Sequence, residues 1–125
     1  MKIRLNMTRQ QYQGVITIAG NSLRMIAGET FRAVQMRDAL HGLLMRSQMR
    51  LLLLKERGNR LSLNDSEALA LYECCASLAD RFFPYERATA FWLIEQIDLQ
   101  RMDYLRRLRA NLGDAQADHL ALLNQ

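Results

Sequence analysis

The side chains best suited to chemistry are few and scattered. Two cysteines, Cys74 and Cys75, are adjacent, and the two histidines, His41 and His119, lie far apart. A metal site needs Cys, His or carboxylate ligands clustered at ligand spacing. Neither histidine belongs to a Glu-x-x-His pattern and the cysteine pair has no companions, so no metal and no cofactor is expected. No glycine-rich phosphate loop follows a strand, which removes the nucleotide-binding fingerprints. Nucleophilic catalysis would need Ser or Cys beside a general base. Cys74 with His41 is conceivable in space, yet no spacing brings them together. Glu95, Asp98 and Asp103 recur along one stretch, and Glu73 and Asp80 along another. Helical di-metal bundles combine such acids with Glu-x-x-His motifs. Without those motifs, the acids read as solvated or ion-paired surface, and the chain reads as something other than an enzyme.

Arginine is the more suggestive residue type. Residues 1–60 carry eleven Lys/Arg against three Asp/Glu, a net +8, whereas residues 61–125 carry six Arg against ten acids, a net −4. Two oppositely charged halves can attract one another, within one molecule or between two. Arg32, Arg46, Arg50 and Arg57 align as a stripe over 25 residues, about 37 Å of helix at 1.5 Å per residue. Such a stripe could contact nucleic-acid phosphates. It could equally be a solubilising edge whose stems lie on apolar surface. No aromatics of the kind that stack bases are interleaved with it.

The elements that carry these residues are predominantly helical. Half of the 125 residues are hydrophobic, with one proline and six glycines, which suits one helical domain better than a turn-rich β fold. Ile3, Leu5 and Met7 alternate with polar neighbours, as do Leu61 and Leu63, which predicts short strands or extended arms near 2–6 and 60–64. Thr8 with Gln11 forms a capping-box signature for a first helix, weakened by Gly14, Gly20 and Gly28 and expected to break near Gly20–Asn21 or Gly28. A second helix is expected over 29–57, stopping at Gly58–Asn59. A third follows over 65–82 after Asn64-Asp65-Ser66-Glu67. Pro84 opens a fourth that runs to about 111. The expected fold is a compact, mainly α bundle of four helices, or five if the tail at 114–125 adds a short one, with residues 1–113 as the domain. Ile3-x-Leu5-Asn6-x-Thr8 also matches Leu61-x-Leu63-Asn64-x-Ser66. That is either a duplicated strand–helix–helix unit with paired strands, or two helix starts that share capping chemistry.

Helix faces add a functional hint. On the second helix, Ala33, Met36, Leu40, Leu43, Leu44, Ser47, Leu51 and Leu54 form the core side, and Phe31, Val34, Met45, Met49, Leu52 and Leu53 form a second apolar band. On the fourth, Trp92, Leu99 and Met102 lie opposite the core face, beside Glu95 and Arg106. Arg101 falls within the core face, either paired with Glu73 or Asp80 or reaching water along its stem. Cys75 reads as a small buried hydrophobe on the third helix. Trp92, Leu99, Met102, Met45, Met49 and Leu52 are therefore the candidate partner interface, with a homodimer the expected assembly. The alternative is nucleic-acid contact through Arg32, Arg46, Arg50 and Arg57. No run of about 18 apolar residues exists, so no membrane partner is expected. The first residues lack a signal-peptide core. Neighbouring cysteines are poorly placed for a disulfide, which suggests a reducing, cytoplasmic setting.

Overall fold

The computed structural model describes residues 1–112, so the expected stop at Gly113, the tail or short helix at 114–125, and His119 lie outside the described residues. Alternation along the first residues produces β1 (Ile3–Met7), whose inward side chains Ile3, Leu5 and Met7 are buried while Arg4 and Asn6 face out. Thr8 then caps α1 (Arg9–Met25). Its hydroxyl accepts from the Gln11 backbone N–H at 3.2 Å, and the Gln11 side chain accepts from the Thr8 N–H at 3.0 Å. The helix passes straight through Gly20 and ends before Gly28. Thr30 caps α2 (Phe31–Gln48), a short 3-10 turn follows at Leu51–Leu53, and β2 spans Asn59–Leu63. Asn64 and Glu67 build a second capping box at the start of α3 (Asp65–Leu78), which tightens into a 3-10 turn at Ala79–Arg81. Pro84 begins α4 (Pro84–Leu112). Among the described residues the fold is mainly α, with four helices and one two-stranded sheet.

The second helix is shorter than its expected span of 29–57, ending at Gln48. The cause is the journey the chain must make to β2. The Arg9 N–H donates to the Glu56 carbonyl at 3.0 Å and Arg9 Nη2 donates to the Leu54 carbonyl at 3.0 Å, tying residues 54–56 back to the start of α1. Nine more helical residues would carry the chain about 13 Å farther away. Gly58, with φ of +78°, makes the final turn into β2, a conformation side-chain-bearing residues rarely adopt.

β1 and β2 pair antiparallel, with Leu5 opposite Leu61 and Ile3 opposite Leu63. Both strands bury their inward side chains on the helices. An offset of 56 residues carries Leu5 onto Leu61, Thr8 onto Asn64, Gln11 onto Glu67 and Arg9 onto Asp65. The same offset takes buried Tyr12, Gly14, Val15, Ile18 and Ala19 of α1 onto buried Ala68, Ala70, Leu71, Cys74 and Cys75 of α3. Leu5 and Leu61 face each other, as the central pair of an internal twofold must. The halves thus repeat one strand–helix–helix plan. The matching motif in the sequence is out of step by two residues, because Asn64 rather than Ser66 is the capping residue; a strand's period of two leaves the inside–outside pattern unchanged by that slip.

Helix α1 packs against α2 and α4, and α3 against α4 and α2, closing a ring under the sheet. α1 meets α4 closely at Gly14. A Cβ placed on Gly14 would lie 2.8 Å from Thr89 Oγ1, 3.0 Å from its Cγ2 and 3.2 Å from its Cβ. All three atoms of that β-branched side chain crowd the position, so rotation about χ1 cannot clear it. Gly14→Ala is expected to lower stability by about 1–3 kcal/mol in a urea titration through overpacking, outweighing the roughly 1 kcal/mol that alanine adds in helix propensity. Adding Thr89→Ala to that variant recovers part of the loss.

Candidate interaction surfaces

Arg46, expected as a nucleic-acid contact, is built into the fold. It leaves the last turn of α2 toward Glu67, whose side chain is only 5% exposed. Nη1 donates to Glu67 Oε2 at 2.6 Å and Nη2 to Oε1 at 3.1 Å, a bidentate pair. Nη2 also donates to the Ser62 carbonyl at 2.7 Å. The carboxylate meanwhile accepts from the Asn64 N–H at 2.9 Å to complete the α3 capping box. One contact therefore joins the end of α2, the outer edge of β2 and the start of α3. The hydrogen bond from the guanidinium to Glu67 raises the Arg46 pKa above its ordinary value.

The remaining stripe arginines part company. Arg32 pairs with Glu73 of α3. Arg50 lies beyond α2, where Nη1 donates to the Arg60 carbonyl at 3.1 Å. Arg57 is exposed in the connection to β2 and makes no ion pair among the described residues. The helical stripe over 32–57 is thus broken, since α2 stops before its last two members and two others are committed to carboxylates of the second half. What replaces it is a cationic pocket of about 420 Å³ beside β2, lined by Tyr12, Arg50, Lys55, Asn59 and Arg60 together with Leu53 and Leu54. Arg60 was expected only as an extension of the nucleic-acid surface, and Lys55 had no assigned role in the sequence; its only signal was charge near the Gly58 turn.

The apolar candidates divide into two surfaces. Leu99 and Met102 are exposed on the outer face of α4, with Phe91 a turn or two earlier. Met45, Met49 and Leu52 are exposed at the end of α2 and in the 3-10 turn, Leu52 being 99% accessible. Trp92 belongs fully to neither, because its ring is half-buried and packs back on the core from the flank of α4.

A groove of about 630 Å³ between α3 and α4 is lined by Leu69, Tyr72, Glu73, Asp98, Arg101 and Tyr104, among others. Arg101 is exposed at its edge, with its head in water. Cys74 and Cys75 are both buried free thiols on α3. No three His, Cys, Asp or Glu side chains among the described residues gather as metal ligands. No family model, curated protein or solved structure matches the chain, so its function is read from these surfaces alone.

Removing the guanidinium of Arg46 strands a buried carboxylate. Arg46→Ala is expected to cost about 2–4 kcal/mol in urea denaturation, the half-exposed arginine placing it toward the lower end, while Arg57→Ala changes stability by no more than about 0.5 kcal/mol. Burial pushes the Cys75 thiol up to about 12 and raises Cys74 as well. Below the ordinary thiol value of 9.0 both states keep these protons, and the shifts leave stability unchanged. Above it the unfolded chain loses protons that the folded chain retains. Stability is therefore expected to fall as pH rises from about 9 toward 12, and a Cys74→Ala/Cys75→Ala variant to show a shallower fall in the same series of melts.

Proposed function

We propose that this protein is a non-enzymatic interaction module that self-associates through the outer face of α4. One observation carries the reading. Glu95, Leu99, Met102 and Arg106 share that face at spacings of four, three and four residues, the seam of a coiled coil. Leu99 is 54% and Met102 60% exposed, more than a solitary surface helix requires. The stripe is self-complementary. An antiparallel copy related by a twofold axis passing between Leu99 and Met102 sets Leu99 against Met102 and Glu95 against Arg106. Such isologous contacts are the commonest route to symmetric dimers. Two buried, unpaired thiols support a reducing compartment and hence a cytoplasmic setting.

The nucleic-acid alternative keeps less support, since Arg32 and Arg46 are occupied by Glu73 and Glu67. Arg50 and Arg57 remain at an end of the molecule that also exposes leucines.

Light scattering after size exclusion tests the α4 seam. Wild type is expected to elute as a dimer and Leu99→Glu/Met102→Glu as a folded monomer. Glu95→Arg alone weakens the dimer by placing like charges together, and Glu95→Arg/Arg106→Glu restores it. A monomeric wild type, or a mass that none of these substitutions alters, overturns the proposal.

A further inference from the structure

The connection from α2 to β2 places hydrocarbon and positive charge side by side. Of the four leucines 51–54, only Leu54 packs on the core. Leu52 is 99% and Leu53 78% exposed, and Met49 at 82% extends the patch from the end of α2. Nothing in the fold asks for these side chains to point outward; a connection free of core duty would ordinarily be polar.

Beside them opens the 420 Å³ pocket. Its two neutral polar groups are already spent. The Tyr12 hydroxyl donates to the Ser47 carbonyl at 2.9 Å. Asn59 Nδ2 donates to the Met7 and Lys55 carbonyls, and its Oδ1 accepts from the Lys55 N–H. Arg50 gives one hydrogen to the Arg60 carbonyl and keeps the rest of its guanidinium free. The Lys55 ammonium and Arg60 guanidinium join no ion pair among the described residues. Three cations therefore surround an opening that no carboxylate lines among the described residues. Arg57 and Arg9 widen the positive field, and Glu56 is the single acid between residues 49 and 60.

The pairing of groups selects the ligand. A soluble anion would use the cations and leave the leucines idle. Single-stranded nucleic acid would want stacking rings, and the one ring here, Tyr12, is buried. An anionic bilayer presents phosphate oxygens within a few ångströms of hydrocarbon, the combination this corner offers from the protein side. We propose that the α2–β2 corner docks on an anionic phospholipid surface, a lipid phosphate entering the Arg50–Lys55–Arg60 pocket while Leu52 and Leu53 reach the acyl boundary. This is surface attachment only; no helix among the described residues is long and apolar enough to cross a membrane. The proposal uses none of the residues of the α4 seam, so the two readings stand or fall separately.

Flotation of the full chain with vesicles tests it. Binding is expected to phosphatidylcholine vesicles containing phosphatidylserine, not to phosphatidylcholine alone, and to weaken as salt is raised. Leu52→Ser/Leu53→Ser, with an unchanged circular dichroism spectrum, is expected to bind at least about tenfold more weakly. Lys55→Gln and Arg60→Gln are each expected to weaken binding roughly fivefold, and Arg57→Gln less. Absence of binding to anionic vesicles overturns the proposal, as does leucine-independent binding, which would reduce the corner to a charged surface. Saturation by glycerol 1-phosphate at the same concentration as by vesicle lipid overturns it in favour of a soluble anion. A dimer that the leucine substitutions split, with vesicles ignored, overturns it in favour of a contact between copies.

Discussion

A two-stranded ribbon has little stability of its own in water, yet every helix in this molecule takes its position from one. β1 and β2 are separated by two helices and hold together because each buries its inward side chains on the helical ring: Ile3, Leu5 and Met7 from one strand, Leu61 and Leu63 from the other. Their outer edges are closed by side chains. Gln100 of α4 donates to the Arg4 carbonyl at 2.7 Å and accepts from the Arg4 N–H at 2.8 Å, so its amide substitutes for a third strand. On the other edge Arg46 and Arg50 take the Ser62 and Arg60 carbonyls. These contacts bring the end of α2 and the second half of α4 to opposite margins of the ribbon. They also blunt the sheet edges at which unrelated chains could add.

Charge follows the same plan. The excess of cations in the first half is partly answered by acids of the second: Arg46 by Glu67, Arg32 by Glu73, and the N-terminal ammonium by Asp65 at 3.5 Å. The attraction expected between a basic and an acidic half therefore operates within one molecule, chiefly between α2 and α3. The surplus gathers around the turn from residue 49 to residue 60, where Glu56 is the single acid. Arg46 and Arg50 look interchangeable in a list of arginines. One is a structural tie and the other borders an open pocket, a difference decided by whether a buried carboxylate stands opposite.

Much of the architecture was legible because its signals are local. Thr8 with Gln11 and Asn64 with Glu67 mark helix starts through hydrogen bonds reaching three residues, while Pro84 and Gly58 mark element ends through their own backbone angles. The alternation of Ile3, Leu5 and Met7 revealed the inward face of β1. The end of α2 was not legible, since Arg50 to Glu56 contains no helix breaker; the helix stops because Arg9, some forty-five residues earlier, holds the Leu54 and Glu56 carbonyls. For the same reason a periodic arginine stripe was an artefact of continuing a helix too far. Leu99 and Met102 were correctly placed on an outer face by their spacing alone. Trp92 was not, because an indole is long enough to reach the core from a helix flank.

The internal twofold has a consequence that a true homodimer could not share. Two identical chains meeting across a symmetry axis must carry identical surfaces, so any charge gained on one is gained on both. Here the related units lie in a single polypeptide, and each carries its own residues. Tyr12 in one corresponds to Ala68 in the other, and Arg9 to Asp65. A scaffold with matched halves thereby carries unmatched charge, the first sixty residues strongly cationic and the rest mildly acidic. Orientation toward a charged surface is then a property of the whole body, acting over roughly a Debye length before any single side chain makes contact.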